Sequence, residues 1–364
     1  MLSSSYELPA LPPPVDLETV RILKALNRAS RALADLKGQA RTIPNQGILI
    51  DTLALQEAKA SSEIENIVTT QDELFQADLF PDDPQSPAAK EVALYRDALR
   101  LGYARLLQID GLIPNSALID VYRLLKGRSG GFRATPGTAL RNEQTGEIVF
   151  VPPQDAREIE DHMTALERFV NDDALSGLDP LIKMALIQHQ FESIHPFSDG
   201  NGRIGRILNV LYLTRAGLLD IPVLYLSRYI TRNKGFYYRY LQAVRDEGAW
   251  EDWVVFMLDA VAETSVTTSG LVIGIRDQMA ATKRRMRDEL PRLYSQDLLN
   301  NLFRYPYTRI EYVQKDLNVT RQTAAKYLDI LAGQGFVEKH RSGKSNYYIN
   351  VALVRLFLDA SGEA

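Results

Sequence analysis

The sequence predicts a mainly α-helical protein with one small β-hairpin and a distinct C-terminal segment, and three observations carry that prediction. Apolar residues recur at three- and four-residue spacing along most of the 364-residue chain, the mark of amphipathic helices. One central stretch, TALRNEQTGEIVFVPP, instead has two short runs around Glu143-Gln144-Thr145-Gly146 and a Pro-Pro stop, which is a hairpin signature. Beyond residue 296, two short helical patterns joined by Asn318-Val319 lead into a second hairpin pattern, the order of a helix-turn-helix with a hairpin appended.

The elements follow in order. Residues 1–15, with ALPPPV, read as an irregular or Pro-rich strap, and Asp16 is placed to cap a helix reaching about Leu36. After the break KGQARTIPNQG a second helix covers about 48–67, with Leu53, Ala60, Ile64 and Ile67 on one face. LFPDDPQSPAAK is a proline-punctuated loop. Helices are expected in EVALYRDALRLGYARLLQ, SALIDVYRLLKG, QDAREIEDHMTALERFV and PLIKMALIQHQFESI, with Met184, Ile187, Phe191 and Ile194 inward in the last. Another begins near Ile204, and more fill 230–290. The expected divisions are an N-terminal helical region 1–110, a core 111–250, a helical connector 251–295 and a C-terminal domain 296–364.

Composition excludes several classes. A formal net charge of -4 gives no overall attraction to nucleic acid. The absence of cysteine excludes disulfides and thiolate metal sites and fits a reducing compartment. The N-terminus lacks the basic start and apolar core of a secretion signal, and no uncharged apolar run reaches the roughly 18 residues of a membrane span. The expectation is a cytoplasmic protein without a membrane partner.

The densest chemistry lies in HPFSDGNGRIGR, residues 195–206. Gly200, Gly202 and Gly205 spell a dinucleotide fingerprint, but that fold needs an apolar strand before the first glycine, and a helical pattern stands there. Gly343-Lys344-Ser345 fails as a phosphate loop because Glu338 occupies the required glycine position. Taken physically, 195–206 is a helix end, a tight turn and a new helix N-terminus, whose free N–H groups and dipole favour an anion. Arg203 and Arg206 can both reach one polyphosphate. Asp199 makes sense beside phosphates if Mg²⁺ lies between them, and His195 is placed to take a proton from an attacking hydroxyl. Singly, each has a plainer role: structural histidine, helix cap, surface ion pair. Six such positions in fixed order around one helix start outweigh those roles.

This stretch matches the Fic family signature H-x-F-x-[DE]-G-N-G-R-x-x-R at every fixed position. The resemblance implies AMP transfer from ATP to a hydroxyl side chain of a target protein, with self-modification. It makes His195 the general base, Asp199 the Mg²⁺ ligand, and Gly200, Asn201 and Gly202 an anion hole. Arg203 holds phosphates, Arg206 the γ-phosphate, and Gly205 belongs to the ATP site. The hairpin 138–151 falls where the family has a flap that pairs with a target by strand addition. Tyr237-Tyr238 resembles the aromatic pair lining the adenine pocket, although Arg245 replaces an asparagine often found there.

Upstream, Ser61-Ser62-Glu63-Ile64-Glu65-Asn66 fits the family's inhibitory motif [ST]-x-x-x-E-[GN]. Ser61 and Glu65 share a helical face, and Glu65 would pair with Arg206 in place of the γ-phosphate. Downstream, the C-terminal segment resembles winged-helix domains. Residues 301–350 hold eight Lys/Arg against four acids, and Arg321, Gln322, Lys326, Arg341 and Lys344 are placed to meet DNA; a protein partner is the alternative. The whole implies an autoinhibited AMP transferase. A nucleotide-sensing transcription regulator, or an enzyme that also removes AMP, is the other reading, and a homodimer is an open partner class.

Overall fold

The computed structural model describes residues 6–79, 86–127, 129–142, 145–342 and 345–361. Four helices come first: α1 (Val20–Ala40), α2 (Gly47–Ile64), α3 (Gln71–Leu79) and α4 (Pro87–Gln108). Next are α5 (Asn115–Lys126), the hairpin β1 (Leu140–Arg141) and β2 (Ile148–Phe150), α6 (Ala156–Asn171), α7 (Pro180–Ile194) and α8 (Asn201–Arg215). Then come α9 (Ser227–Arg232), α10 (Lys234–Glu247), the 40-residue α11 (Trp250–Glu289) and α12 (Gln296–Arg304). The chain ends with β3 (Tyr307–Arg309), α13 (Ile310–Leu317), α14 (Arg321–Gly333), β4 (Glu338–Ser342), β5 (Ser345–Ile349) and α15 (Val351–Ser361). The fold class is as expected, mainly helical with two small sheets.

The chain divides into two compact units that do not follow chain order. The first takes residues 1–34, 57–67 and 94–265, and the second 35–56, 68–93 and 266–364. The expected blocks 1–110 and 251–295 are therefore each split between units. In the first unit, α7 begins where the Asp179 carboxylate accepts from Leu181 N–H at 2.8 Å and Pro180 occupies the first turn, a position that needs no N–H. Every residue of α7 from Leu181 to Ile194 is buried, and α8 is buried from Ile204 to Leu213. The two form the centre of this unit. α4 crosses α8 at Gly102, where a Cβ would stand 2.8 Å from Leu211 Cδ1.

Several boundaries differ from expectation, each for a local reason. Thr19, not Asp16, begins α1: its Oγ accepts from Ile22 N–H at 3.3 Å, while Asp16 accepts from Glu18 N–H. The same capping recurs at α14, where Thr320 Oγ accepts from Thr323 N–H at 3.2 Å. α1 also continues through Gly38 to Ala40, because the packing of its buried face outweighs one unfavourable glycine. α2 stops at Ile64, and Asn66 turns into the left-handed region at φ 61°, so Glu65 sits in the turn just after the helix. The central hairpin is short, with Leu140 opposite Phe150, and its turn residues Glu143 and Gln144 lie outside the described residues.

The second unit holds a three-stranded antiparallel sheet in the order β3-β5-β4. β3 escaped the sequence because three residues are too few for an alternation to register. Of the cations expected to meet DNA, Arg321 is ion-paired with Glu311, and Lys339 nearby pairs with Asp329 at 2.7 Å. Gln322, Lys326 and Arg341 are exposed, and Lys344 lies outside the described residues. Among the described residues one helix, α11, holds a stretch long and apolar enough to cross a membrane; half of that stretch is buried in the protein.

Candidate active site

The site is built at the junction of α7 and α8. His195 closes α7 in the left-handed region, with φ 51° and ψ 58°, and turns the chain into the buried Pro196-Phe197. Phe197 is held by Asn201, whose Oδ1 accepts from Phe197 N–H and whose Nδ2 donates to Phe197 C=O, both at 2.8 Å. The Asn201 side chain thus fixes the loop. Gly200 enters α8 at φ 78°, where a side chain would be strained. A Cβ at Gly202 would lie 2.9 Å from Arg206 Nη1 and 3.2 Å from Glu65 Oε1, so the ends of those side chains would have to shift. At Gly205 the crowding comes from Gln188 and Phe191, so this glycine serves the α7–α8 packing.

Electrostatics separate the roles of the ionisable groups. Burial, followed by the charges of Arg133 and Arg245, pushes the His195 imidazole down to about 3, against the backbone of Glu192 and the charge of Asp199. The ring is therefore neutral at physiological pH. Asp199 is more than half exposed. Burial works against its charge, yet the hydrogen bond and charge of Lys126, with Arg203, hold its carboxyl below the usual range. Lys126 Nζ lies 2.5 Å from Asp199 Oδ2 and Arg203 Nη2 3.9 Å from Oδ1.

Ser61 at the end of α2 and Glu65 in the turn after it meet the two motif arginines. Glu65 Oε2 lies 2.7 Å from Arg203 Nε and its Oε1 3.3 Å from Arg206 Nη2. Arg206 Nε donates to Ser61 Oγ at 2.8 Å and Nη2 to the Ser61 carbonyl at 3.0 Å. The sequence pointed to Arg206 as the partner of Glu65; the carboxylate bridges both arginines and stands closer to Arg203. Asn66, exposed, accepts from Lys234 Nζ at 3.3 Å.

Tyr237 and Tyr238 part company. Tyr237 is buried, accepting from Gln188 Nε2 at 2.9 Å and donating to Glu192 Oε1 at 3.4 Å, whereas Tyr238 is 47% exposed. Arg245, half-buried, lies over the Phe150 ring, 3.8 Å from its centroid, with Nε donating to Ser193 Oγ at 3.0 Å. Sequence reasoning missed Lys126, Arg133 and Glu57, remote in sequence from the motif, and Glu192, three residues before it. Only Glu57 left a signal: it precedes Ser61 and Glu65 by four and eight residues, on the same helical stripe.

Glu57 is buried in α2 and accepts from Ser227 Oγ, from Tyr95 O–H at 3.1 Å and from Ser227 N–H at 3.3 Å. Burial raises its carboxyl to about 7, while those hydrogen bonds and the charge of Arg206 oppose the rise. A raised carboxyl binds its proton more tightly in the folded state than in the unfolded chain. Stability is then fullest below the ordinary value of 4.5 and falls as pH rises toward 7. The slope contributed by this one group approaches about 1.4 kcal/mol per pH unit. Denaturant unfolding of wild type and Glu57→Gln should therefore show a shallower fall between those limits in the variant; parallel curves would refute the assignment.

Comparison with known proteins meets the same residues. Models of the Fic/DOC family N-terminal region, the Fic/DOC family and the SoFic-like protein adenylyltransferase C-terminal domain match residues 23–104, 113–213 and 278–353. The chain belongs to the Fic family. Protein adenylyltransferase Fic of Culex quinquefasciatus is 29% identical over 167 residues, 46% of this chain and 31% of that protein. The Drosophila erecta protein of the same description is 32% identical over 102 residues, 28% of this chain and 19% of that one. The matched part of this Fic chain thus spans a third or less of these relatives' length. In fold, it is similar to a Fic family protein from Desulfovibrio desulfuricans G20, with TM-score 0.58 and 20% identity over 93% of this chain and 98% of that one. Fic-1 (aa134–508) from C. elegans is similar at TM-score 0.55 and 19% identity, over 71% and 74% of the two chains.

Proposed function

We propose that this Fic protein is an autoinhibited adenylyltransferase that moves AMP from ATP to a hydroxyl side chain (Ser, Thr or Tyr) of a target protein. The observation that carries the reading is the Glu65 carboxylate seated on Arg203 and Arg206 beside Gly202. Two buried arginines at a helix N-terminus form a phosphate site, and a carboxylate from the turn after α2 fills it. In transfer, the target hydroxyl gives its proton to His195, its oxygen bonds to the α-phosphorus, and the bond to diphosphate breaks. Arg203 and Arg206 hold the departing phosphates. The exposed edge of the hairpin, with Ile148 and Val149 open to solvent, supports target docking by strand addition.

The residues fit Mg²⁺ in its usual mode with nucleotides. Among the described residues no group of three or more His, Cys, Asp or Glu side chains converges, so the ion would rest on one carboxylate, phosphate oxygens and waters. Asp199 is ionised and open, and the Lys126 ammonium already stands at its oxygen as a cation. Bound there, the ion would offset phosphate charge. In Asp199→Ala, ATP affinities measured with and without Mg²⁺ should converge; if Mg²⁺ still strengthens binding as in wild type, Asp199 is not the ligand. Incubation with labelled ATP tests the activity itself: label incorporated by Glu65→Gly and lost on adding His195→Ala is the expected result. No label in either protein would overturn the proposal.

A further inference from the structure

His195 occupies a backbone conformation that is uncommon for any residue with a Cβ, so something must hold it there. Arg133, in the segment between α5 and the hairpin, converges on the main chain around it. Its Nε donates to the His195 carbonyl at 2.8 Å, and its Nη2 donates to the Ile194 carbonyl at 3.3 Å and to the Pro153 carbonyl. Its own N–H donates to the Pro196 carbonyl at 2.8 Å. Carbonyls at a helix C-terminus have no partner within the helix, and Arg133 answers those of Ile194 and His195. Pro153 lies three residues beyond β2, where the hairpin returns to the core. One residue, through its side chain and its own N–H, therefore ties the exit of the hairpin to the residues on either side of the catalytic imidazole.

The energetics make a purely incidental role a poor account. Arg133 is buried, and burial lowers its affinity for the proton, with only the charge of Glu158 opposing. Its side-chain hydrogen bonds all go to main-chain carbonyls, and its Nη1 is buried with no partner. A desolvated cation is retained at a cost that an uncharged side chain would avoid. Its charge also falls on His195 and disfavours a second cation there.

We propose that Arg133 is a positioning residue for AMP transfer: it locks the main chain of His195 to the hairpin exit at Pro153, so that a docked target and the imidazole that takes its proton share one frame. This rests on the adenylyltransferase reading, and the test separates the two. In the Glu65→Gly protein, Arg133→Gln should lower kcat by about 10²-fold, the scale of an ångström's misplacement of a reacting group. KM for ATP should stay unchanged, because Arg133 is bonded to none of residues 200–206. Arg133→Lys keeps the charge but not the planar fork, and should recover part of kcat.

A second readout needs no turnover. The chain has four histidines, so the His195 ring can be assigned by NMR through its loss in His195→Ala. Its titration should move to higher pH in Arg133→Gln than in the parent, and by less in Arg133→Lys. If neither parent nor variant labels a target but the ring titration moves as stated, the transferase reading fails and the positioning role survives. Unchanged kcat in Arg133→Gln, a loss confined to KM for ATP, or an unmoved His195 titration overturns the proposal. Should Arg133→Gln not fold, Arg133→Lys decides alone: kcat equal to the parent's is the overturning result.

Discussion

His195→Ala should reduce AMP transfer by about 10²–10⁴-fold, the usual contribution of a general base, while ATP binds as before. The imidazole hangs from the C-terminal cap of α7, whereas the groups proposed to bind phosphate belong to the first turns of α8. Removing the ring therefore takes away the proton acceptor and leaves Gly202, Arg203 and Arg206 in place. The loop itself should hold, because Asn201 fixes Phe197 through two main-chain hydrogen bonds and Arg133 binds the His195 carbonyl, which alanine retains. Isothermal titration with ATP and a labelling time course on one preparation check both halves of the statement. The low proton affinity of His195 adds a condition: its value lies near 3, well under the ordinary 6.5. Acidification from neutrality through 6.5 should thus cost no activity through this ring. Near-normal labelling by His195→Ala, or a loss centred on the ordinary histidine value that vanishes in the variant, would remove His195 from the mechanism.

Much of this was legible because the chemistry is contiguous in sequence. Residues 195–206 fold as a local unit, cap to cap, so their order along the chain already states their order in space. Glu65 could be singled out only through a motif, since no local rule brings residue 65 to residue 203. Its actual engagement with both arginines depends on α2 ending at Ile64 and on the left-handed turn at Asn66, which let the carboxylate lie across the two guanidinium groups. Arg133 and Lys126 were silent for the same reason, and Glu57 showed only its place on the stripe of Ser61 and Glu65. Each is an ordinary charged residue whose role is conferred by partners distant in sequence: the carbonyls of residues 153 and 194–196, Asp199, and Ser227. Tyr237 was singled out by a spelling resemblance alone, which carried no sign that its hydroxyl joins a buried network with Gln188 and Glu192.

Glu65→Gly should label a target or itself about 10²-fold faster than wild type, the cost of holding a reacting group an ångström out of line. With Glu65 in place, Arg203 Nε and Arg206 Nη2 are both engaged by one carboxylate, so a triphosphate meets two occupied partners. Removing the carboxylate takes that competitor from both. It also leaves two buried cations close together, their side chains 1% and 3% exposed, and breaking such a partly buried pair costs stability. Glu65→Gly should accordingly melt below wild type without ligand and gain more Tm than wild type on adding ATP, because the nucleotide restores the missing anion. Arg206 remains anchored to Ser61 Oγ and to the Ser61 carbonyl, neither of which the substitution touches. The guanidinium therefore stays where the γ-phosphate needs it. Arg206→Ala supplies the contrast: it releases one arm of Glu65 but takes a phosphate ligand away, and should be inactive alone and in combination with Glu65→Gly. An active double variant would mean that Arg206 serves only to hold the inhibitory turn. A Glu65→Gly protein with wild-type rate and wild-type response of Tm to ATP would mean that the carboxylate bridges the arginines without restraining the enzyme.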